Sequence, residues 1–370
     1  MSYSIAPRSR LDYIQKFAPD KLDTANLALV FKRDIAVDTI VEKLYDVNLY
    51  YIESNQARGD ELYYFLKNNQ LFHGEQVWSK FHPFVPHLHE IPPSAEIADS
   101  SWFVGSRNNY THQLVDFLPN LIYRMFSTEP YISSSYINIF GKTNAILRSV
   151  ASIPLMRSGL DLPSMFLSQY GNPVEYGPWR IRCIRFRELY LIKHLSIFNS
   201  FSLLDKIFAQ PNQHCCETDF PAVQTERFLY LSRPDNRIIN QPQIIDFLAD
   251  QLQCMILEGI HKLSFSEKQR IISGYSHIIL PPGSDNINAL CFSHSQSVLF
   301  QMIPVNIEQM LESPFTSYAC LRYLLPFLHR IVFLPCDTNG QSDDINSGKW
   351  SIDKLRKFIM RHRYVNDTPQ

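Results

Sequence analysis

Cysteine is scarce and unpatterned in this chain. Seven occur in 370 residues, an odd number without one Cys-x-x-Cys pair. That usage does not suggest a disulfide framework and offers no zinc-ligand spacing, so a reducing compartment is expected. The vicinal pair Cys215 and Cys216 is a poor geometry for a structural staple. Long apolar runs are missing as well. No stretch approaches the ~20 residues that cross a bilayer, and residues 1–17 alternate polar, charged and apolar types without the core of a secretion signal. A cytoplasmic protein is the expectation. Nor is there charge of one sign: 35 Lys and Arg stand against 36 Asp and Glu, a net charge of −1. Nucleic acid is therefore not expected as a partner. The chain also lacks an Asp-x-Asp pair and any internal repeat.

What is present describes a packed globular protein. Hydrophobic residues make up 45% and charged residues 19%, which excludes a disordered chain. The length exceeds what one core usually supports, so two domains are expected. Most of the 25 Phe and 19 Tyr are read as core filling. In the second half, short apolar runs alternate with helical patterns: strands at 228–231, 255–257, 277–280, 298–302 and 331–334, with helices at 243–252, 267–274 and after Gly283. That alternation predicts a parallel, Rossmann-like sheet. The first half reads as less regular but similar in kind, with strands at 27–31, 102–104 and 137–140 and a helix over 111–126. The polar stretch 209–219 reads as a linker. The expected division is an α/β domain over 1–208, a Rossmann-like domain over 220–345 and an amphipathic helix within 346–370.

His112 and Asp116 stand one helical turn apart, where a carboxylate can hold one imidazole nitrogen protonated and leave the other free to accept a proton. A merely structural hydrogen-bonded pair has the same spacing. Arg180, Arg182, Arg185 and Arg187 alternate with apolar residues over 179–192, as in a long strand or strand pair. Solvated arginines and an anion site are the two readings. The terminal helix pattern is either docked by Ile352, Leu355 and Ile359 or lies basic face down on anionic lipid. His82, His87 and His89 flank two prolines in an extended or turn-like piece and are not taken as a metal site.

Two loops follow predicted strands. In the first, Ser232, Arg233, Arg237 and Asn240 leave the carboxyl end of a strand, where guanidinium forks can hold a phosphate or diphosphate. In the second, Gly283 permits close backbone approach, while Ser284, Asp285 and Asn286 can cap a helix whose N–H groups face an anion. A plain arginine-rich surface loop and a plain strand-to-helix turn would use the same residues.

In order and spacing these three segments resemble glycosyltransferase family 61, also described as a domain of formerly unknown function in capsular and lipopolysaccharide sugar transferases. The family's pattern is an Asn-Tyr-x-His helix with a following Asp and Pro. A Ser-Arg strand end with a further Arg and Asn comes next, then a Gly-small-x-x-x-Asn loop ahead of a strand that ends in an acidic residue. Here the matches are Asn109, Tyr110, His112, Asp116 and Pro119, then Ser232, Arg233, Arg237 and Asn240, then Gly283, Ser284 and Asn288. They lie within 102–302. Pro282 stands where the family usually has a histidine, and Gln301 where its last strand carries a glutamate. Such a glutamate would accept hydrogen bonds from a ribose, and Gln301 keeps a carbonyl oxygen for that purpose.

The resemblance implies a GT-B architecture, two Rossmann-like domains facing across a cleft, with a nucleotide-sugar donor, UDP-linked by expectation, on the second and a glycan or lipid-linked glycan acceptor on the first. It implies inversion without an obligatory metal and without a cofactor, in keeping with the missing Asp-x-Asp pair. His112, oriented by Asp116, is then the general base. Asn109, Tyr110, Ser232, Arg233, Arg237, Asn240, Gly283, Ser284, Asn288 and Gln301 are the expected nucleotide-sugar contacts. Peripheral contact with the inner face of a membrane would suit a lipid-linked acceptor. A non-catalytic sugar- or nucleotide-binding module, or a scaffold subunit of a polysaccharide assembly system, is the competing class.

Overall fold

Short apolar runs set the parallel strands of the second half of this protein, and longer runs of alternating polar and apolar residues set β-strands in the first. The computed structural model describes residues 39–54, 61–68, 70–74, 85–105, 113–126, 137–141, 164–195, 197–208, 226–233, 238–283, 286–303, 323–336, 338–339 and 348–361. The strand expected at 27–31 lies outside them. The described residues fall into two compact α/β units, divided after residue 209.

The first unit contains β1 (Ile40–Ser54), β2 (Glu61–Lys67), β3 (Gln70–Gly74), β4 (Ala95–Ile97), β5 (Ser101–Phe103), β6 (Ile137–Phe140), β7 (Ser164–Phe166), β8 (Val174–Tyr176) and β9 (Trp179–His194), with α1 (Leu118–Phe126) and α2 (Ile197–Phe208). Its sheet runs β3-β2-β1-β9-β5-β6-β7, and β4 and β8 also pair with β9. Only β9, β4, β5, β6 and β7 run parallel; β1, β2, β3 and β8 are antiparallel additions. This half is therefore a mixed sheet rather than the Rossmann-like one expected, because neighbouring strands β1, β2 and β3 pair antiparallel, as strands joined by short connections can.

Both faces of the second half of β1 are covered. Leu49 and Tyr51 enter one buried cluster and Tyr50 and Ile52 another, the two-residue period of a strand with cores on either side. The sheet is also strongly coiled. β5 pairs with β9 at Leu189 and Tyr190, while Tyr63 of β2 is level with Arg182 through Tyr51. In a flat sheet that separation would be on the order of 25 Å. Yet the Tyr63 and Phe103 rings are 5.2 Å apart and those of Phe65 and Phe103 5.1 Å. Asp46, at φ 50°, interrupts the β1 ladder between the two ends.

The arginine-rich strand is β9, and every one of its four arginines meets a carboxylate. Arg180 pairs with Glu175, Arg185 with Asp46 and Arg187 with Glu96 on the surface, at 3.0, 3.2 and 2.7 Å. Arg182 points inward and donates to Glu53 at 2.9 Å. Tyr51 bridges Glu53 and the buried Glu61, and Tyr63 donates to Glu61 at 3.0 Å. Burial, then the two carboxylates, push the Tyr51 phenol far above its usual range, so it stays a donor. The geometry is that of internal pairing rather than of an anion site.

The second unit contains β10 (Phe228–Ser232), α3 (Gln241–Leu252), β11 (Met255–Glu258), α4 (Phe265–Ile272), β12 (His277–Leu280), α5 (Asn286–Phe292), β13 (Val298–Ile303), β14 (Ile331–Pro335), the short pair β15 (Thr338–Asn339) and β16 (Gly348–Lys349), and α6 (Ile352–Arg361). Five strands form a parallel sheet in the order β11-β10-β12-β13-β14. β10, β12 and β13 are buried at every position, the continuous apolar pattern of a sheet covered on both faces. Local signals place the helices: Ser264 and Glu267 form a reciprocal capping box at α4, and a proline opens α3. Leu355 and Ile359 of α6 lie in the same core as Tyr230, Phe300 and Leu334, so its apolar stripe is covered by protein, while Lys354, Lys357 and Arg361 remain exposed. Among the described residues no helix is long and apolar enough to cross a membrane.

Candidate functional site

Counting only this sheet, the strand order is 2-1-3-4-5, so the chain reverses direction between β10 and β12. In such sheets ligands bind outside the carboxyl ends of the strands at that reversal. The segments that leave these ends are Ser232-Arg233 from β10, Glu258-Gly259 from β11 and Pro281-Pro282-Gly283 from β12. Both loops singled out in the sequence thus lie at one edge.

Gln241, in the first turn of α3, holds the β10 exit in place. Its amide nitrogen donates to the Arg233 carbonyl at 2.8 Å and more weakly to Ser232 Oγ at 3.5 Å, while its oxygen accepts from Tyr230. Beside it a cavity of about 270 Å³ is lined by Ser232, Arg233, Gln241, Glu258, Gly259, His261 and Lys262. Two fixed cations and a histidine share it with one carboxylate. Sequence reasoning named Ser232 and Arg233 but missed the other five; the available signal was Glu258, an acidic residue that ends the strand next after β10.

At the β12 edge, Gly283 has φ 142°, a backbone that favours glycine, and is buried. Asn288 is buried in α5. Gln301, 4% exposed, has a different role from the one expected. Its carbonyl oxygen accepts from Asn286 Nδ2 at 2.6 Å, and its Nε2 faces the carbonyls of Met302 (2.8 Å), Leu280 (3.4 Å) and Pro281 (3.4 Å). The amide therefore staples β13, the β12 exit and the start of α5, because its donor end is turned to three backbone acceptors. Asn240 is likewise committed to structure. It donates to the Trp350 carbonyl at 2.8 Å and accepts from the Trp350 N–H at 3.1 Å, clamping the chain that leads into α6.

In the first unit the helix expected over 111–126 divides. Gln113–Phe117 form a π-helical turn and α1 begins at Leu118. Pro119 has no N–H to give the Val115 carbonyl and its ring crowds that oxygen, so the preceding turn widens. Turns of this kind recur at functional sites. Asp116 is half-buried within it, flanked by the buried Leu114 and Val115. In a turn closed by i→i+5 bonds, positions four apart still share a side. The turn follows β5 in a β-α-β unit: Trp102 Nε1 donates to the Asn120 carbonyl and Asn120 to the Val104 carbonyl. Gly105, two residues after β5, has φ 76°, with the position of an added Cβ 2.7 Å from Phe117 Cε1.

Gly105→Ala is therefore expected to lower stability by strain at positive φ, about 1–2 kcal/mol, plus the displacement of Phe117. Gly177→Ala, at φ 58° with nothing within 4 Å of the added carbon, carries the strain alone. Urea melts of the two variants should differ, with Gly105→Ala the less stable; equal losses would mean that the ring contact is unimportant.

His112, Asn109, Tyr110, Arg237 and Ser284 lie outside the described residues, as does His82. His87 pairs with Glu90 at 3.1 Å on the surface. Among the described residues there is no group of three His, Cys, Asp or Glu able to hold a metal. Burial pushes the Cys183 thiol up to about 11 and that of Cys254 to about 12, so neither is a nucleophile at neutral pH. No protein-family model matches the chain, and no curated protein sequence matches it.

Proposed function

We propose that this protein is an inverting glycosyltransferase that moves a sugar from a nucleotide donor, UDP-linked by expectation, to a hydroxyl of a glycan or lipid-linked glycan, without a metal. The observation that carries the reading is the second unit's parallel sheet, whose carboxyl edge gathers Arg233, the Gly283 turn and a cation-lined cavity beside the chain reversal. This edge suits a diphosphate, which bidentate guanidinium and backbone N–H donors recognise. The sugar-transfer part rests on the motif resemblance and on the π-helical turn that carries Asp116.

In the proposed reaction the acceptor oxygen attacks the anomeric carbon as the bond from that carbon to the diphosphate oxygen breaks. The acceptor proton passes to His112, held by Asp116. The electron pair leaves with the nucleoside diphosphate, whose charge Arg233, Arg237 and the loop from Gly283 to Asn288 stabilise. No Asp-x-Asp pair is present in the sequence to present a cation, so arginines take that part. A GT-B arrangement, donor on the second unit and acceptor on the first, belongs to the same proposal, as does work at the cytoplasmic face of a membrane, toward which the exposed basic side of α6 would turn.

Arg233→Ala tests the donor half. Loss of a charge-assisted contact of roughly 1.5–3 kcal/mol should weaken nucleoside diphosphate binding by about 10- to 100-fold by calorimetry. Unchanged affinity would remove Arg233 from the site. The second reading is a non-catalytic nucleotide- or sugar-binding or scaffold subunit, favoured by the commitment of Gln301 to backbone carbonyls. Binding without turnover of any sugar nucleotide would select it.

A further inference from the structure

Gln301 is poorly placed to receive a ribose, and a carboxylate elsewhere on the same edge is well placed. From the geometry we infer that the cavity beside β10 and β11 seats the ribose of the nucleotide, with Glu258 accepting hydrogen bonds from its 2′- and 3′-hydroxyls and Lys262 and Arg233 facing its phosphates. The inference rests on the nucleotide-binding reading above and deepens it.

Four observations lead there. Ser232 and Glu258 are direct partners in the parallel ladder, at the last residues of their strands, so the carboxylate stands one strand spacing, ~4.8 Å, from the exit that carries Arg233. In dinucleotide-binding α/β sheets an acidic residue that follows the first strand by about 20 residues takes a ribose hydroxyl while the diphosphate lies at the exit of the first strand; β11 and β10 are the second and first strands of this sheet. The cavity joins both ends, and its volume of about 270 Å³ falls just below the roughly 300–1,000 Å³ of sites that enclose a drug-sized ligand, so it suits one ribose with an adjoining phosphate. Glu258, His261 and Lys262 are exposed, and among the described residues no hydrogen bond or ion pair engages their side chains. Glu258 is thus an available acceptor, whereas the Gln301 oxygen already accepts from Asn286.

The placement also orients the ligand. With ribose at β11 and phosphates over β10, the sugar end extends toward β12 and the Gly283 turn, across the chain reversal.

The test is calorimetric titration of the full chain with UDP, CDP, GDP and ADP and with their 2′-deoxy counterparts. The best-bound ribonucleotide should exceed its deoxy form by roughly 10- to 100-fold, the worth of a hydrogen bond to a charged group. Glu258→Ala should weaken the ribonucleotide by more than the deoxy form, which keeps only its 3′-hydroxyl contact, so that the preference disappears, while Glu258→Gln keeps part of it. Lys262→Ala should weaken both forms alike. Because Glu258 is on the surface, the ligand-free melting temperature should not move. A Glu258→Ala protein that keeps the wild-type ribose preference overturns the assignment while leaving the nucleotide site standing. Failure of the wild-type protein to bind any of the eight nucleotides overturns both.

Discussion

His112→Ala is expected to slow sugar transfer by roughly 10²- to 10⁴-fold, the usual worth of a positioned general base, while nucleoside diphosphate affinity stays close to that of the wild type. The split follows from the assignment of roles. In the proposed reaction the base acts on the acceptor proton as the bond forms, so its loss should lower kcat and kcat/KM together, whereas the donor is assigned to the second unit. Asp116→Asn should produce a smaller fall in kcat, because the imidazole remains but its tautomer is no longer held. The pH profile adds a check: the wild-type rate should fall on the acid side as the imidazole protonates, and that limb should vanish in His112→Ala. An alanine variant with full turnover and an intact acid limb would end the catalytic assignment.

Gln301→Glu is expected to be the most destabilising conservative change at the site. The side chain is 4% exposed and its Nε2 faces three carbonyl oxygens. A carboxylate there would be a buried charge set against acceptors, a loss of roughly 3–5 kcal/mol when ionised. The protonated acid can still donate to Met302, so the folded state favours the neutral form and its pKa rises above the unfolded value of ~4.3. The sign follows from proton linkage. Between the two pKa values the folded protein binds more protons than the unfolded one, so the variant loses stability as pH rises from about 4.3. Urea melts should show a modest deficit near pH 4.5 that widens by pH 8. A deficit that does not depend on pH, or none, would mean that the amide is not the staple described.

This result bears on the motif as well. A glutamate at the end of this strand is usual in the family that the chain resembles, yet here the surrounding carbonyls select an amide. The local environment and the residue agree with each other, and the ribose-accepting role is open for Glu258 instead.

Much of the second unit was legible from residue order. Each strand of its parallel sheet showed as a short apolar run, and for β10, β12 and β13 the reason is burial on both faces, which needs apolar residues at successive positions; the capping pair Ser264 and Glu267 marks a helix start by local hydrogen bonding. In the first unit the same reasoning reached β5, β6 and β9 but not the coiling of the sheet, in which rings from β2 and β5, far apart in sequence, meet. The wider turn before Pro119 was readable in principle from the missing N–H. The role of Glu258 was not, since its meaning comes from standing beside Ser232, and the amide of Gln301 looked free until three carbonyls surrounded it.

Side-chain periodicity, turn chemistry and the geometry of crossovers act over a few residues, and from them the order of residues alone dictated an α/β protein, the parallel sheet of its second half and the placement of two polar loops at strand ends. Which strands lie side by side, and therefore which acids, amides and arginines share one edge, was settled by packing between segments distant along the chain. Burial and hydrogen-bond satisfaction act there between groups that no local pattern relates.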